Sequence, residues 1–349
     1  MKKKVLVAMS GGVDSSGAAL LLRQEGYDVS GATLHMHCLG KENVAEDAAK
    51  VAREIGIEHF TLDRSDLFRR EVMEKFVSEY EKCRTPNPCI DCNRELKFGA
   101  LLDWAVKQGF DYVATGHYAR LGYDETTGRH LLLRGEDRGK DQSYVLYQLT
   151  QFQLQHLLLP IGNHDKAAIR AAAAQAGLES ANKSDSQDIC FIPDGDYTAF
   201  LQRFGGLQLK EGDFVDADGH VLGRHKGLPC YTAGQRKGLG VSGGRPLYVV
   251  SKDPTANTIL LGDEKDLYSS ALLASRPNFI PFDKLDGPVE VTAKTRYSQK
   301  EAEAVVSPAE DGLIRVDFRT PQRAVTAGQA VVFYWGDVVV GGATIEKAL

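Results

Sequence analysis

A chain of 349 residues with 43% hydrophobic and 26% charged residues has the length for two or three domains and an ordinary globular composition, which excludes disordered, collagenous and coiled-coil classes. Forty-two Lys and Arg against 47 Asp and Glu give a net charge of −5, so a nucleic-acid partner must be held by local patches rather than by a global positive field. No apolar run approaches the roughly 18 residues of a membrane span, and the apolar run after the basic start ends at Met9, too early for a signal peptide. The expectation is a cytoplasmic enzyme with no membrane partner.

In chain order, apolar runs and helical patterns alternate over the first 200 residues. Strands are expected over 5–9, 29–36, 58–62 and 112–115. Helices are expected over 15–26, 44–55, 66–82, 95–107, 153–159 and 166–176. This rhythm predicts an open α/β domain with a parallel sheet, whose ligands sit at the carboxyl ends of its strands. From about residue 205 the texture becomes short β-like runs with glycine turns: a hairpin over 214–222 turning at Asp218-Gly219, and another over 247–261. A proline-bearing linker (Pro277, Pro281, Pro288) follows. Five strand candidates over 289–294, 302–306, 313–318, 330–334 and 338–345 then suggest a small barrel. The expected division is 1–204, 205–274 and 275–349.

Ser10-Gly11-Gly12-Val13-Asp14-Ser15-Ser16 lies between the first strand and the first helix. Paired glycines let the backbone turn tightly and aim amide hydrogens at an anion, and the helix N-terminus adds positive charge. Ser15 and Ser16 are expected to cap the helix. The Gly-Lys-Ser/Thr ending of a Walker loop is missing, and so is Gly-x-Gly-x-x-Gly. The motif resembles the pyrophosphate loop of the ATP-pyrophosphatase superfamily, whose members cleave ATP between its α and β phosphates and adenylate a carbonyl oxygen. Asp14 either favours the helix start or holds a Mg²⁺ on the released pyrophosphate.

The six cysteines (Cys38, Cys83, Cys89, Cys92, Cys190, Cys230) are too few and too scattered for a disulfide scaffold. Cys92 is expected near a helix N-terminus, where a thiol pKa falls. Cys190, beside Ile189, Phe191 and Ile192, reads on its own as an inert buried cysteine. Beside a carbonyl-activating loop, both become candidates for chemistry. His35-Met-His-Cys38 looks like a metal cluster, but adjacent strand residues point to opposite faces, so no metal is expected there.

With Thr85-Pro-Asn-Pro-Cys-Ile-Asp-Cys-Asn93, Ala114-Thr-Gly-His-Tyr-Ala-Arg120, Lys140-Asp-Gln-Ser-Tyr144, Asp188-Ile-Cys-Phe-Ile192 and Tyr231-Thr-Ala-Gly-Gln-Arg-Lys-Gly-Leu239, the chain resembles the bacterial tRNA-specific 2-thiouridylases from residue 5 to its end. The resemblance implies a Rossmann-like, adenine nucleotide alpha hydrolase-type domain, then a small mixed β-rich domain and a C-terminal β-barrel that grip tRNA. It implies ATP and Mg²⁺ as cofactors. The nucleotide site would comprise Ala8, Met9, Ser10, Gly11, Gly12, Val13, Asp14, Ser15, Leu34 beside the adenine, and Gly116.

Cys190 would carry a persulfide, and Cys92, the family's nucleophile, would assist either by acid/base action or by attacking the persulfide to free hydrogen sulfide, ending in a Cys92–Cys190 disulfide. Contacts to the anticodon arm and its wobble uridine would come from Asn87, Pro88 and Cys89 around the base. Further contacts would come from His117, Lys140, Asp141, Gln142, Arg296, Tyr297 and Gln329, and support from the basic segment Arg224, His225, Lys226, Arg236, Lys237. A relay protein or cysteine desulfurase would supply sulfur to what is expected to be a monomer.

Many relatives have Asp where this chain has Cys89, so Cys89, Cys92 and Cys190 also form a candidate [4Fe–4S] site. Zinc would want a fourth ligand, and only Cys83 is near in sequence. Two other classes remain at this point. Another adenylating ligase of the superfamily would not need the cysteines, and a non-catalytic RNA-binding or iron–sulfur carrier would not need the 10–16 loop.

Overall fold

The computed structural model describes residues 2–36, 44–183, 189–241 and 244–349. The expectations placed on His37, Cys38 and Asp188 lie outside these residues. Val5, Leu6 and Val7 are fully buried in β1 (Lys4–Ala8), because helices cover both faces of a parallel sheet and its central strand need not alternate. The chain continues through α1 (Val13–Gln24), β2 (Asp28–His35), α2 (Val44–Ile55), β3 (Glu58–Asp63) and α3 (Ser65–Phe68). A π-helical stretch, Arg69–Glu74, leads into α4 (Lys75–Glu81). α5 (Pro88–Asp91) leads through a second, Cys92–Leu101, into α6 (Leu102–Lys107). Then come β4 (Tyr112–Ala114), β5 (Ala119–Asp124), β6 (Arg129–Arg134), α7 (Gln151–Gln155), β7 (Leu157–Leu158), α8 (Lys166–Gln175) and α9 (Tyr197–Arg203).

The first sheet is parallel, in the order β3-β2-β1-β4-β7. β1 therefore sits at the point where strand order reverses, and the crevice beyond its carboxyl end is the place for a ligand. α1 and α8 share one core through Ala18, Ala19, Leu22, Ile169 and Ala173.

Two elements differ from expectation here. The helix expected over 153–159 stops at Gln155, and Leu157–Leu158 pairs with β4 as an edge strand. A capping box on Thr150 and Gln153 starts α7 early; Leu157 and Leu159 are buried among the sheet residues. The β5–β6 hairpin was not foreseen. Its Leu131-Leu132-Leu133 run does not alternate in the sequence; in the fold Leu132 is buried with Phe98 and Tyr144, while Leu131 and half-buried Leu133, which pairs with Val338 of the barrel, lie on the other face.

The middle domain holds β8 (Gly212–Val215), β9 (Val221–His225), β10 (Tyr248–Asp253) and β11 (Thr258–Gly262) in the order β10-β11-β8-β9. Both expected hairpins are present, joined by a parallel β11–β8 pairing. Phe214, Tyr231, Val249 and Ile259 form its core.

The last domain holds β12 (Tyr268–Phe279), β13 (Val289–Lys294), β14 (Ala302–Pro308), β15 (Ile314–Arg323), β16 (Ala330–Trp335) and β17 (Val338–Ala348). These six antiparallel strands close on themselves through β12–β17 pairing. The barrel thus has one strand more than the five expected, and β12 crosses the boundary expected at 274–275. Pro277, expected in a linker, lies within β12 where the register shifts between Ser275 and Asn278. Arg276 has φ +53 there, so a bulge absorbs the proline's missing donor. Among the described residues no helix is long and apolar enough to cross a membrane.

Candidate active site

The chain leaves β1 through Met9, whose amide donates to Ala32 O at 2.8 Å. Gly11 has φ +69, and a Cβ there would stand 2.7 Å from Asp47 Cβ; both the turn and the approach of α2 require glycine. Gly12 is the N-cap of α1, with no capping side chain. Contrary to expectation, Ser15 and Ser16 do not cap. Their hydroxyls donate back to Gly12 O at 3.1 and 2.8 Å, and Ser10 N donates to Ser15 Oγ at 3.2 Å. The positive end of α1 therefore faces the crevice unclaimed by a capping side chain, which is the requirement for holding an anion.

Two groups brace this turn. A Cβ on Gly116 would stand 2.6 Å from the Asp14 carbonyl carbon and 2.7 Å from Ser15 N, so the exit of β4 lies directly on the first turn of α1. Lys166 Nζ, at the start of α8, donates to both Asp14 carboxylate oxygens at 2.6 and 2.7 Å, and Tyr118 OH donates to Oδ1 at 2.8 Å. Sequence reasoning missed Lys166 and Tyr118. The partners stand 152 and 104 residues from Asp14, and no local motif signals such a contact.

Asn87 caps α5, its Oδ1 accepting from Cys89 N at 3.1 Å, with Pro88 at the first helical position. The helix runs on into the π-helical stretch, so Cys92 lies a turn inside it rather than at its N-terminus. The expected lowering of its pKa is reversed. Burial pushes the Cys92 thiol up to about 12, Lys97 opposes the shift, and Cys190 and Cys89 add to it. Cys89 is exposed as a residue, yet the protein crowding its thiol raises it too, again against Lys97 and with Cys190.

Cys92 and Cys190 pack on one cluster with Phe68, Phe76, Leu96 and Phe191. Leu34, at the end of β2, touches that cluster and also the core around Leu6 and Val113. Leu34 thus lies between the sheet's carboxyl edge and the thiols. None of the described cysteines is in a disulfide. Among the described residues the only three metal-ligating groups within 4.8 Å of one another are Asp216, Asp218 and His220, so the thiols do not converge as a single-ion site.

Lys97 is a third residue that sequence reasoning missed. Its neighbour Leu96 packs in the cysteine cluster, and its neighbour Phe98 lies 6.0 Å from the His117 ring. Its charge acts on Cys89, Cys92 and His117. His117 is buried, its Nδ1 2.7 Å from Thr115 Oγ1. Burial first, and Lys97 second, lower its pKa well below the usual range, so its ring is neutral at pH 7.

Most residues expected at the tRNA are also tied internally. The Asp141 carboxylate accepts from Gly135 N, Ser143 N and Ser143 Oγ. Gln142 exchanges two hydrogen bonds with the Tyr118 backbone. Gln329 Nε2 donates to Thr85 O at 2.8 Å, docking the barrel on the start of the 85–88 loop. Arg296 bridges two domains, and the half-exposed Tyr297 donates its OH to Asp141 O at 3.1 Å. The basic segment is smaller than its sequence suggests. Arg224, itself exposed, pairs with Asp213 at 2.8 Å, and His225 is buried with a lowered pKa, while Lys226, Arg236 and Lys237 are exposed.

A parallel sheet of this order, with a glycine turn opening its first helix, is the architecture of HUP-type nucleotide-binding domains, and residues 3–194 match the family model described as tRNA methyl transferase HUP domain. Residues 198–263 match the tRNA methyl transferase PRC-barrel domain, and residues 269–345 the Aminomethyltransferase beta-barrel domain. Over its full length the chain is 50% identical to the tRNA-specific 2-thiouridylase MnmA of Acetivibrio thermocellus, covering 99% of each chain. It is 49% identical to a tRNA-specific 2-thiouridylase MnmA of Clostridium botulinum, over 99% of this chain and 100% of the relative. One from Caldanaerobacter subterraneus is also 49% identical, over 99% of each. The chain belongs to the tRNA-specific 2-thiouridylase family.

Proposed function

We propose that this chain inserts sulfur at C2 of the wobble uridine of tRNA, at the expense of ATP. The observation that carries the reading is the meeting of Cys92 and Cys190, from distant parts of the chain, on one aromatic cluster that Leu34 joins to the sheet's carboxyl edge.

The uracil C2 carbonyl is a poor electrophile and its oxygen a poor leaving group. Attack of that oxygen on the ATP α-phosphorus expels pyrophosphate and leaves AMP bonded to the base. The phosphates fit the uncapped α1 terminus, with backbone from Ala8 to Ser15 and the close approach at Gly116. Asp14 is the carboxylate that would hold Mg²⁺, which would offset charge on the phosphates, with Lys166 and Tyr118 orienting the carboxylate. The terminal sulfur of a Cys190 persulfide then attacks C2 and AMP leaves with the oxygen. Cys92 thiolate attacks Cys190 Sγ, freeing the sulfur on the base and forming a Cys92–Cys190 disulfide, which an external dithiol reduces. In the alternative order, Cys92 attacks the persulfide first and frees hydrogen sulfide. In either order Cys92 must first lose its proton.

The persulfide itself comes from a relay protein or cysteine desulfurase. The two β domains hold the anticodon arm, whose single-stranded wobble base turns into the pocket at little unstacking cost. A [4Fe–4S] cluster on Cys89, Cys92 and Cys190 is the second reading, supported by the mutual influence of these thiols. Such a cluster would present one open iron to sulfide. Anaerobically purified protein that is iron-free and still thiolates removes it.

The main test incubates the protein with unmodified tRNA, ATP, Mg²⁺ and a persulfide source, then digests the RNA for mass spectrometry. 2-Thiouridine with one AMP per modified base is expected. Absence of both overturns the reading.

A further inference from the structure

Arg296 lies just beyond β13, where the barrel meets the middle domain. Its Nη2 group donates to Ala233 O of the middle domain at 3.0 Å, and to Ala324 O and Thr326 Oγ1 of the barrel at 2.8 and 2.7 Å. Its Nε is enclosed by protein with no acceptor. The two backbones it ties are pressed together. Ala324 has φ +53, and a Cβ on Gly234 would stand 2.8 Å from Ala324 Cβ.

The next residue ties a third body. Tyr297 OH reaches Asp141 O of the catalytic domain, its ring meets Tyr144 edge-on at 5.9 Å, and Lys294 Nζ lies over both rings. The same 140–142 loop holds Tyr118, whose hydroxyl is on Asp14. Residues 294–297 are therefore where all three domains meet.

We propose that Arg296 is a positioning residue: it fastens the 232–239 turn, with exposed Arg236 and Lys237, to the barrel, so that the tRNA-gripping surface keeps a fixed register with the cysteines. All three bonds come from Nη2, and a lysine would keep the charge without reaching acceptors on both domains. This inference rests on the tRNA reading above.

The test uses R296K, R296Q and T326V in the full chain. Hydrogen–deuterium exchange over 232–239 and 324–326 is measured without tRNA, and tRNA affinity is measured across a salt series. R296K is expected to raise exchange in both segments and to weaken tRNA binding about tenfold, although the charge is kept. T326V, which removes one barrel acceptor, is expected to shift both readouts the same way by less. Wild-type exchange and affinity in R296K, with R296Q lowering the slope of log K against log salt by about 0.7–0.9, would make Arg296 a phosphate contact and overturn the proposal. Should R296K not fold, unchanged exchange and affinity in T326V overturns it. A wild-type chain that binds no tRNA defeats the tRNA reading, while the exchange comparison still decides whether Arg296 is the fastener.

Discussion

A thiol that is to attack a persulfide must first give up its proton, and Cys92 in this state holds on to its own. Burial raises its pKa to about 12, so its alkylation by iodoacetamide should climb with pH through 7 to 10 without a plateau. A thiol lowered by a helix terminus would level off below about pH 8. Lys97→Met, which removes the opposing charge, should slow that alkylation at every pH, and Lys97→Arg should restore it. The stability consequence has a definite sign. The folded chain keeps a proton that the unfolded chain loses near the ordinary thiol value of about 8.5, so the unfolded state binds fewer protons above that pH. The contribution of Cys92 is intact at neutral pH and is lost as pH rises from about 8.5 toward 12. Cys92→Ser should therefore flatten part of the alkaline fall in urea midpoint; an unchanged alkaline limb would contradict the burial.

The same scale shows what was legible. Gly11, Gly12 and Asp14 announce their site because a phosphate turn is built from consecutive residues. Lys166 does not, since the helix that carries it packs on α1 only in the finished fold. Lys166→Ala leaves the Asp14 carboxylate with Tyr118 alone and removes a cation from the phosphate end of α1. AMP formation should fall about 10²-fold, the usual cost of losing one preorganised electrostatic partner, while tRNA affinity stays near wild type. A variant that forms AMP at the wild-type rate would show that the ion pair only braces the turn.

At the scale of elements, the parallel strands and their helices were readable because period and turn residues agree over long stretches. The β5–β6 hairpin and β12 were not. The hairpin's Leu131-Leu132-Leu133 run carries no alternation in the sequence, and β12 carries a proline that argues against a strand until the bulge is seen. The hairpin's seat makes a sharp prediction. A Cβ on Gly162 would stand 1.8 Å from Ala119 O, the first residue of β5. Ala119 follows directly on Tyr118, whose hydroxyl holds Asp14. Gly162→Ala must push β5 away, at about 2 kcal/mol or more, seen as a lower urea midpoint at unchanged slope. Because Tyr118 moves with it, AMP formation should drop as well. Lost stability with full AMP formation would uncouple the hairpin from the nucleotide turn.

At the scale of the whole molecule, a net charge of −5 gives tRNA no long-range attraction, so binding must rest on a few cations that the fold leaves outside. Of the basic residues considered for the tRNA, Lys140, Arg224, Lys226, Arg236 and Lys237 are exposed. The exposed Arg224–Asp213 pair is worth little against a phosphate, His225 is buried, and Arg296 Nη2 bridges two domains. Five phosphate contacts at about 0.7–0.9 released counterions each give a slope of log K against log salt near −4. That is shallow beside a strongly basic RNA-binding surface. The double variant Arg236→Gln with Lys237→Gln should lower the slope by about 1.5 and weaken binding most at low salt, with AMP formation at saturating tRNA unchanged. A wild-type slope steeper than about −6 would mean that cations now paired inside the protein are released to the RNA, and that the three domains rearrange when tRNA binds. The fixed register that residues 294–297 impose makes the shallow slope the expected result.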